Sequence, residues 1–343
     1  MKAYEVTIAI PVYNAEKYIR QTLDSALAQS FESIEFLILD DCGTDSSIDI
    51  IHEYQQNHPR GKDIRVVRQP QNMGIGNGRN RIIDEAQGKF LYFLDADDMI
   101  EPCTIALMWQ AVQVNQAQVV LASYVRVETY HRLPVTVEYQ LPSKVFCMEN
   151  ELAEYACHRY GALQANVWNV LMDLDFIRAC KLRFVDTNFW EDMVFKYELV
   201  TYVSRAVLLT DITYHYICRE NSLSNFQSRS EIPKSEIFRN VKTIDVLKQS
   251  YDRLIGKPYF ANWLNYVLKT DFYIICDALK KDKNIHPSIN SKELQSILCS
   301  PLSVAETWCN GNAQSLFYKI LSILPPPIMV MVIKLFGKMK GFI

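Results

Sequence analysis

Short apolar runs alternate with stretches of helical periodicity through the N-terminal part of this chain, and that alternation narrows its folds more than any other feature. The runs are Val6–Ile10, Ile34–Leu39, Ile64–Val67 and Phe90–Leu94. Between them, Tyr18, Ile19, Leu23, Ala26 and Leu27 recur at helical spacing, as do Ile48, Ile51 and Tyr54, and a third helix is expected from Arg79 to about Ala86. Asn14 is expected to cap the first helix, and Thr44 or Asp45 the second. A βαβαβαβ pattern implies a mostly parallel sheet with helices on both faces. Ligands of such sheets collect beyond the carboxyl ends of the strands.

Polar clusters stand at those ends: Pro11-Val12-Tyr13-Asn14, Asp40-Asp41 and Asp95-Ala96-Asp97-Asp98. The third is the densest. Carboxylates packed this closely repel one another, and burial worsens the repulsion. A divalent cation relieves it, and oxygen-only ligands favour Mg²⁺ or Mn²⁺ over zinc. Such an ion commonly bridges phosphates, which points to a nucleotide-linked substrate. An exposed acidic turn before a helix near Glu101-Pro102 would also explain these acids taken alone. Three clusters on one rim are harder to obtain by accident.

The Gly74-Ile75-Gly76-Asn77-Gly78 loop is not a dinucleotide fingerprint, because its spacing is wrong and it follows the third strand rather than the first. Its glycines suit close backbone approach to a ligand or a tight turn. Arg79, at a helix start, suits a phosphate, with a solvated helix residue as the alternative.

Composition excludes other classes. The net charge of −3 gives no reason to expect nucleic acid. Nine cysteines without CxxC spacing suggest reduced structural thiols, and six histidines without ligand-pair spacing argue against zinc. No signal peptide is expected from the opening residues, and no apolar run reaches the length of about 18 needed for a membrane span.

After Pro102 come a helix to about Asn115, a strand at Val119–Val125, a β-rich stretch over 126–147 and a helix at Glu149–Tyr160. A short strand at Trp168–Leu171 and a helix at Leu174–Cys180 follow. Glu191-Asp192 opens another helix, where two acids suit the macrodipole. Strands are expected at Val207–Leu209 and Tyr214–Ile217, then a polar segment holding Arg219. From about Ser230 the pattern is helical, most clearly in Ile237–Tyr251 and Tyr259–Leu279. The expected division is 1–228, with halves 1–98 and 99–228, and a helical region 229–343. Beyond Pro325-Pro326-Pro327, the tail 328–343 is apolar with lysines. It suits a helix lying in a membrane interface, or one docked on the core or on a second subunit of a homo-oligomer.

Taken together, the elements resemble the family 2 glycosyltransferases with the GT-A fold: Ile10-Pro11-Val12-Tyr13-Asn14, Leu39-Asp40-Asp41 with Thr44-Asp45-Ser46, Asn72-Met73-Gly74, Gly78-Arg79-Asn80, Leu94-Asp95-Ala96-Asp97-Asp98 and Glu191-Asp192. The resemblance covers roughly residues 4–225. Where the family commonly has Asp-Asp-Gly-Ser, this chain has Asp40-Asp41-Cys42-Gly43, which leaves the turn shape to be seen. The resemblance implies an α/β GT-A nucleotide-sugar-binding fold followed by helices. It implies an inverting transfer from a nucleoside-diphosphate sugar, UDP-linked, to a saccharide or lipid-linked saccharide, in the cytoplasm at the inner face of the membrane. Pro11, Val12, Tyr13, Asp40 and Asp41 would then serve the nucleotide, with Arg79, Asp95, Ala96 and Arg219 at the diphosphate and sugar. Asp97, Asp95 and Asp98 would hold the metal, and Asp192 would be the base. A nucleotidyltransferase usually has a glycine-rich, basic loop after its first strand, which Pro11–Ala15 lacks. An inactive nucleotide-sugar-binding protein is the other alternative, and retention of Asp97 and Asp192 counts against it.

Overall fold

The structure, a computed structural model, describes residues 4–129, 134–158, 163–187, 190–219, 231–339 and 341–342. The chain divides into two compact units, Met1–Leu152 with Ala165–Asn225, and Ala153–Gln164 with Phe226–Ile343.

The first unit opens with β1 (Tyr4–Val12), α1 (Ile19–Leu27), β2 (Ile34–Asp40), α2 (Ser47–Asn57), β3 (Ile64–Arg68), α3 (Ile75–Glu85) and β4 (Gly88–Phe93). It continues with β5 (Met99–Ile100), α4 (Thr104–Asn115), β6 (Val119–Glu128), β7 (Val135–Tyr139), β8 (Lys144–Phe146), α5 (Glu151–His158), β9 (Val170–Asp173), α6 (Leu174–Ala179), α7 (Glu191–Val200) and β10 (Ala206–Cys218). The helix α5 straddles the boundary between the units.

The sheet runs β3-β2-β1-β4-β9-β6-β10-β5, with β7 on β6 and β8 on β10. It is parallel from β3 through β4 and again between β6 and β10, while β9 and β5 run antiparallel to their neighbours. The mostly parallel α/β fold expected from the sequence is therefore present. Every residue of β2 is buried, as in a strand covered on both faces. The order reverses beside β1: β2 lies on one side and β4 on the other. In open α/β sheets ligands bind at such a switch point, which here is where the ends of β1, β2 and β4 meet.

Two local expectations change. Helix α1 starts at Ile19 after Tyr18, not at Asn14. Asn14 instead takes a left-handed φ of 51° and accepts a hydrogen bond from the Thr44 N–H (2.7 Å), tying the ends of β1 and β2 together. The two strands expected at Val207–Leu209 and Tyr214–Ile217 are one strand, β10, whose register against β6 shifts between Leu209 and Tyr214. The interruption in alternation there is a bulge rather than a turn.

The second unit holds β11 (Ile232–Pro233), α8 (Lys234–Gln249), α9 (Tyr251–Leu254), α10 (Phe260–Lys280), β12 (Ile285–His286), α11 (Ser291–Ile297), α12 (Val304–Asn310), α13 (Ala313–Ile323) and α14 (Pro326–Met339). Its core is organised on Trp263, fully buried and 5.4 Å from the Tyr251 ring. Among the described residues no helix is long and apolar enough to cross a membrane. All nine cysteines are free thiols.

Candidate active site

The site grows from the strand ends at the switch point. In register, Val12 pairs with Asp40 and Asp40 with Arg68, so these three stand in a row on the rim. Tyr13, just beyond, is 51% exposed, while Val12 is buried and Pro11 half-buried. Asp40 faces inward: its carboxylate accepts from the Cys42 N–H (2.9 Å) and pairs with Arg68 (3.3 Å). Cys42 adopts φ 59° and donates its thiol to the Gln69 carbonyl. The turn thus keeps a left-handed residue without the usual glycine.

Asp41 is also buried, and its two oxygens accept from the Met73 and Gly74 N–H groups at 2.8 and 3.1 Å. It clasps the loop that enters α3. A carboxylate has about four lone-pair sites, so Asp41 retains acceptor capacity toward a base. Gly74 has φ 80° at this entry. A Cβ on Gly76 would lie 2.2 Å from the Val185 carbonyl oxygen. Gly74 thus serves the tight turn, and Gly76 close packing against the backbone at Val185.

Arg79 differs most from expectation. It is neither solvated nor open to a phosphate, with its side chain 5% exposed. One amino group donates to Glu191 Oε1 (2.7 Å), the other to Asp95 Oδ1 (3.3 Å). The guanidinium lies 5.8 and 5.5 Å from the ring centroids of Phe93 and Phe184. Its role is to hold Asp95 and to bring the start of α7 to the end of β4. In the sequence Glu191 is a helix-start acid and half of the Glu191-Asp192 element; its ion-pair partner, 112 residues away, has no local signal.

The three acids after β4 have different fates. Asp95 and Asp97 are partly exposed, with side chains 27% and 37% accessible. Burial and the charge of Asp95 push the Asp97 carboxyl above the usual carboxylate range, while Arg219 opposes this. Arg219 Nη1 donates to Asp97 Oδ2 (2.7 Å), and its guanidinium sits 3.4 Å from the Tyr18 ring centroid. Ala96, between the two acids, is half-buried and packs against the core. Asp98, expected as a metal ligand, is turned away and 1% exposed. One of its oxygens accepts from the Tyr214 hydroxyl (2.7 Å), the other from the Ile217 N–H (2.8 Å). Tyr214 also accepts from the Asp95 N–H (3.3 Å). Asp98 thus latches β10 to the motif. The remainder of the polar segment after Arg219, residues 220–224, lies outside the described residues.

Two hard-oxygen side chains, Asp95 and Asp97, are what the chain offers a divalent cation. Among the described residues no group of three or more His, Cys, Asp or Glu side chains could hold a metal by itself. That fits Mg²⁺ or Mn²⁺ sites in which one or two carboxylates act together with substrate phosphates.

At the head of α7, Trp190 takes φ 65°, rare for a bulky residue and a strain that the surrounding packing must maintain. Glu191 follows, 5% exposed, its carboxyl raised to about 7 by burial against the lowering pull of Arg79. Asp192 is half-buried, with Oδ1 accepting from the Met193 N–H (2.7 Å). Burial raises its carboxyl too, while Arg79 and Lys196 pull it down and Asp95 pushes it up. Asp192 therefore belongs to the same charge cluster as Asp95. A carboxylate with a raised pKa is a stronger base than an ordinary one, which suits it to accept a proton.

Residues 7–145 match the model of the Glycosyl transferase family 2 domain. The chain is 26% identical over 283 residues to an uncharacterised glycosyltransferase, EpsJ, of Bacillus subtilis, covering 82% of this chain and 74% of that one. It is 30% identical over 165 residues to chondroitin synthase of Escherichia coli, covering 48% of this chain and 23% of that protein. Residues 1–349 of TarS from S. aureus, crystallised with UDP-GlcNAc, superpose with a TM-score of 0.72 at 17% identity, covering 98% of this chain and 92% of that one.

Proposed function

We propose that the chain is a family 2 glycosyltransferase with the GT-A fold, as the match of residues 7–145 and the similar proteins support, and that it carries out an inverting transfer of a hexosyl or N-acetylhexosaminyl group from a UDP-linked sugar. The acceptor is a saccharide or lipid-linked saccharide in polysaccharide synthesis, met by a peripheral enzyme at the inner face of the cell membrane. Similarity to chondroitin synthase, and a fold shared with a protein crystallised with UDP-GlcNAc, support this choice of substrates. The observation that carries it is the Asp95–Arg79–Glu191 chain, which sets the head of α7 against the end of β4.

Asp192 takes the proton of the acceptor hydroxyl as that oxygen attacks the anomeric carbon. The attack comes from the face opposite the diphosphate, whose bond to carbon breaks with its electron pair leaving on the phosphate oxygen. Single displacement inverts the centre. Pro11, Val12 and Tyr13 line the base, and Asp41 accepts from it. Arg219, which pairs with Asp97, would turn its charge to the diphosphate. Mg²⁺ or Mn²⁺, held by Asp95 and Asp97, would neutralise charge building on the leaving group. Arg79 keeps Asp95 and the α7 head in register and does not itself touch the donor.

Calorimetry with UDP tests this reading. Binding is expected to need Mg²⁺ or Mn²⁺ and to weaken at least tenfold in Asp97→Ala. Equal affinity with and without metal would remove the metal assignment, and no affinity for any nucleoside diphosphate would remove the reading.

A further inference from the structure

The last helix, α14, is apolar on two opposite sides. Inward it buries Met329, Ile333 and Gly337. Outward, Ile328, Met331, Leu335 and Met339 are 45, 64, 65 and 74% exposed. Steps of three and four residues put these four side chains on one stripe. Ile323, just before the Pro325-Pro326-Pro327 turn, adds a further apolar side chain at 60% exposure. A surface helix in water normally presents polar residues there, so this face has a partner.

Charge identifies the partner. Lys334 and Lys338, both exposed, precede Leu335 and Met339 by one residue and so flank the stripe along one side. No acidic residue follows Glu306, whereas Lys319, Lys334, Lys338 and Lys340 do. A two-fold contact between copies is self-complementary. A contact between copies through this stripe would gather the lysines of both copies at one interface, with no acid in the segment to meet them. An anionic lipid surface offers both an apolar layer and the opposite charge.

We propose that the outer face of α14 is a docking surface for an anionic bilayer, lying in the interface plane with Ile328, Met331, Leu335 and Met339 in the acyl boundary and Lys334 and Lys338 at the headgroups. The inward face keeps the helix on its own unit, so docking requires no unfolding. The proposal rests on the transferase reading only for its purpose, access to a membrane-held acceptor. Its test uses neither donor nor acceptor, so each can fail without the other.

The test is sedimentation of the full chain with vesicles of phosphatidylcholine alone, or with about a third phosphatidylglycerol. Binding is expected to the anionic vesicles and to weaken with salt. Lys334→Gln with Lys338→Gln should weaken it by roughly 30-fold, about fivefold per lysine. Leu335→Gln with Met339→Gln, at sites too exposed to affect folding, should abolish it with the melting temperature unchanged. No binding to anionic vesicles, equal binding to neutral ones, or full binding by the variants would each overturn the proposal. So would a wild-type dimer, seen by sedimentation velocity, that Leu335→Gln with Met339→Gln dissociates; the stripe would then be a contact between copies.

Discussion

Replacing Arg79 with methionine should be among the most damaging single changes in the first unit, and its magnitude follows from the geometry. The guanidinium is buried between Glu191 at 2.7 Å and Asp95 at 3.3 Å. Methionine fills much of the volume between Phe93 and Phe184 but leaves two carboxylates with no counter-charge, Glu191 among them at 5% exposure. Breaking a buried pair in this way costs about 3–5 kcal/mol. At ~2–4 °C per kcal/mol for a unit of this size, melting should fall by roughly 6–20 °C. The loss should also depend on pH. Glu191 already titrates at about 7 because of burial, and without Arg79 its carboxyl must rise further. A carboxyl whose folded pKa is raised lends stability below its unfolded pKa, about 4.3, and loses it as pH rises through the folded value. Urea unfolding should therefore show a smaller deficit at pH 5 than at pH 7.5. Arg79→Met with Glu191→Met should recover part of the loss, because no buried charge is then left without a partner. A loss under about 1 kcal/mol, or one equal at both pH values, would refute the reasoning.

Lys196, buried on α7 and donating to the Asn166 carbonyl (2.8 Å), is lowered to about 7 by burial. Between that value and about 10.4 the unfolded chain binds more protons, so wild-type stability should rise with pH in this window and Lys196→Met should flatten the rise in urea titrations. In the second unit, Lys248 lies 2.8 Å from both Asp245 and the fully buried Asp271. Lys248→Met should cost about 3–5 kcal/mol there, seen in tryptophan fluorescence, and Lys248→Met with Asp271→Leu should recover much of it. Tyr214→Phe removes the hydroxyl that the buried Asp98 accepts from; leaving a buried polar group unsatisfied costs about 1–3 kcal/mol. Thermal unfolding should show that loss, and calorimetry weaker UDP binding as β10 loosens from Asp95.

The parallel half of the sheet was legible because its strands are short, apolar and followed by polar turns, and those turns sit where such a sheet binds ligands. What was not legible depended on partners far along the chain. Asp98 looks like a third ligand beside Asp95 and Asp97, but Tyr214, 116 residues on, turns it inward. Arg79 looks like a phosphate-binding residue at a helix start, yet it is buried and paired with two carboxylates. The glycines of 74–78 look like a ligand cradle, while Gly76 accommodates the backbone at Val185. Asn14 has the chemistry of a helix cap, and its amide serves Thr44 instead. The grouping of Ala153–Gln164 with Phe226–Ile343 has no local signal at all, because it joins segments far apart in the sequence.

The central claim is that Asp192 removes the acceptor proton, and single-turnover transfer by Asp192→Asn tests it most directly. Asparagine keeps the size and most of the hydrogen bonding but takes no proton. The rate of sugar transfer should fall about 10²–10⁴-fold, with the affinity for the UDP-sugar unchanged, while Glu191→Gln, which alters the Arg79 pair, should lose stability more than rate. Near-normal turnover in Asp192→Asn would contradict the account, and most sharply if Glu191→Gln were the inactive variant.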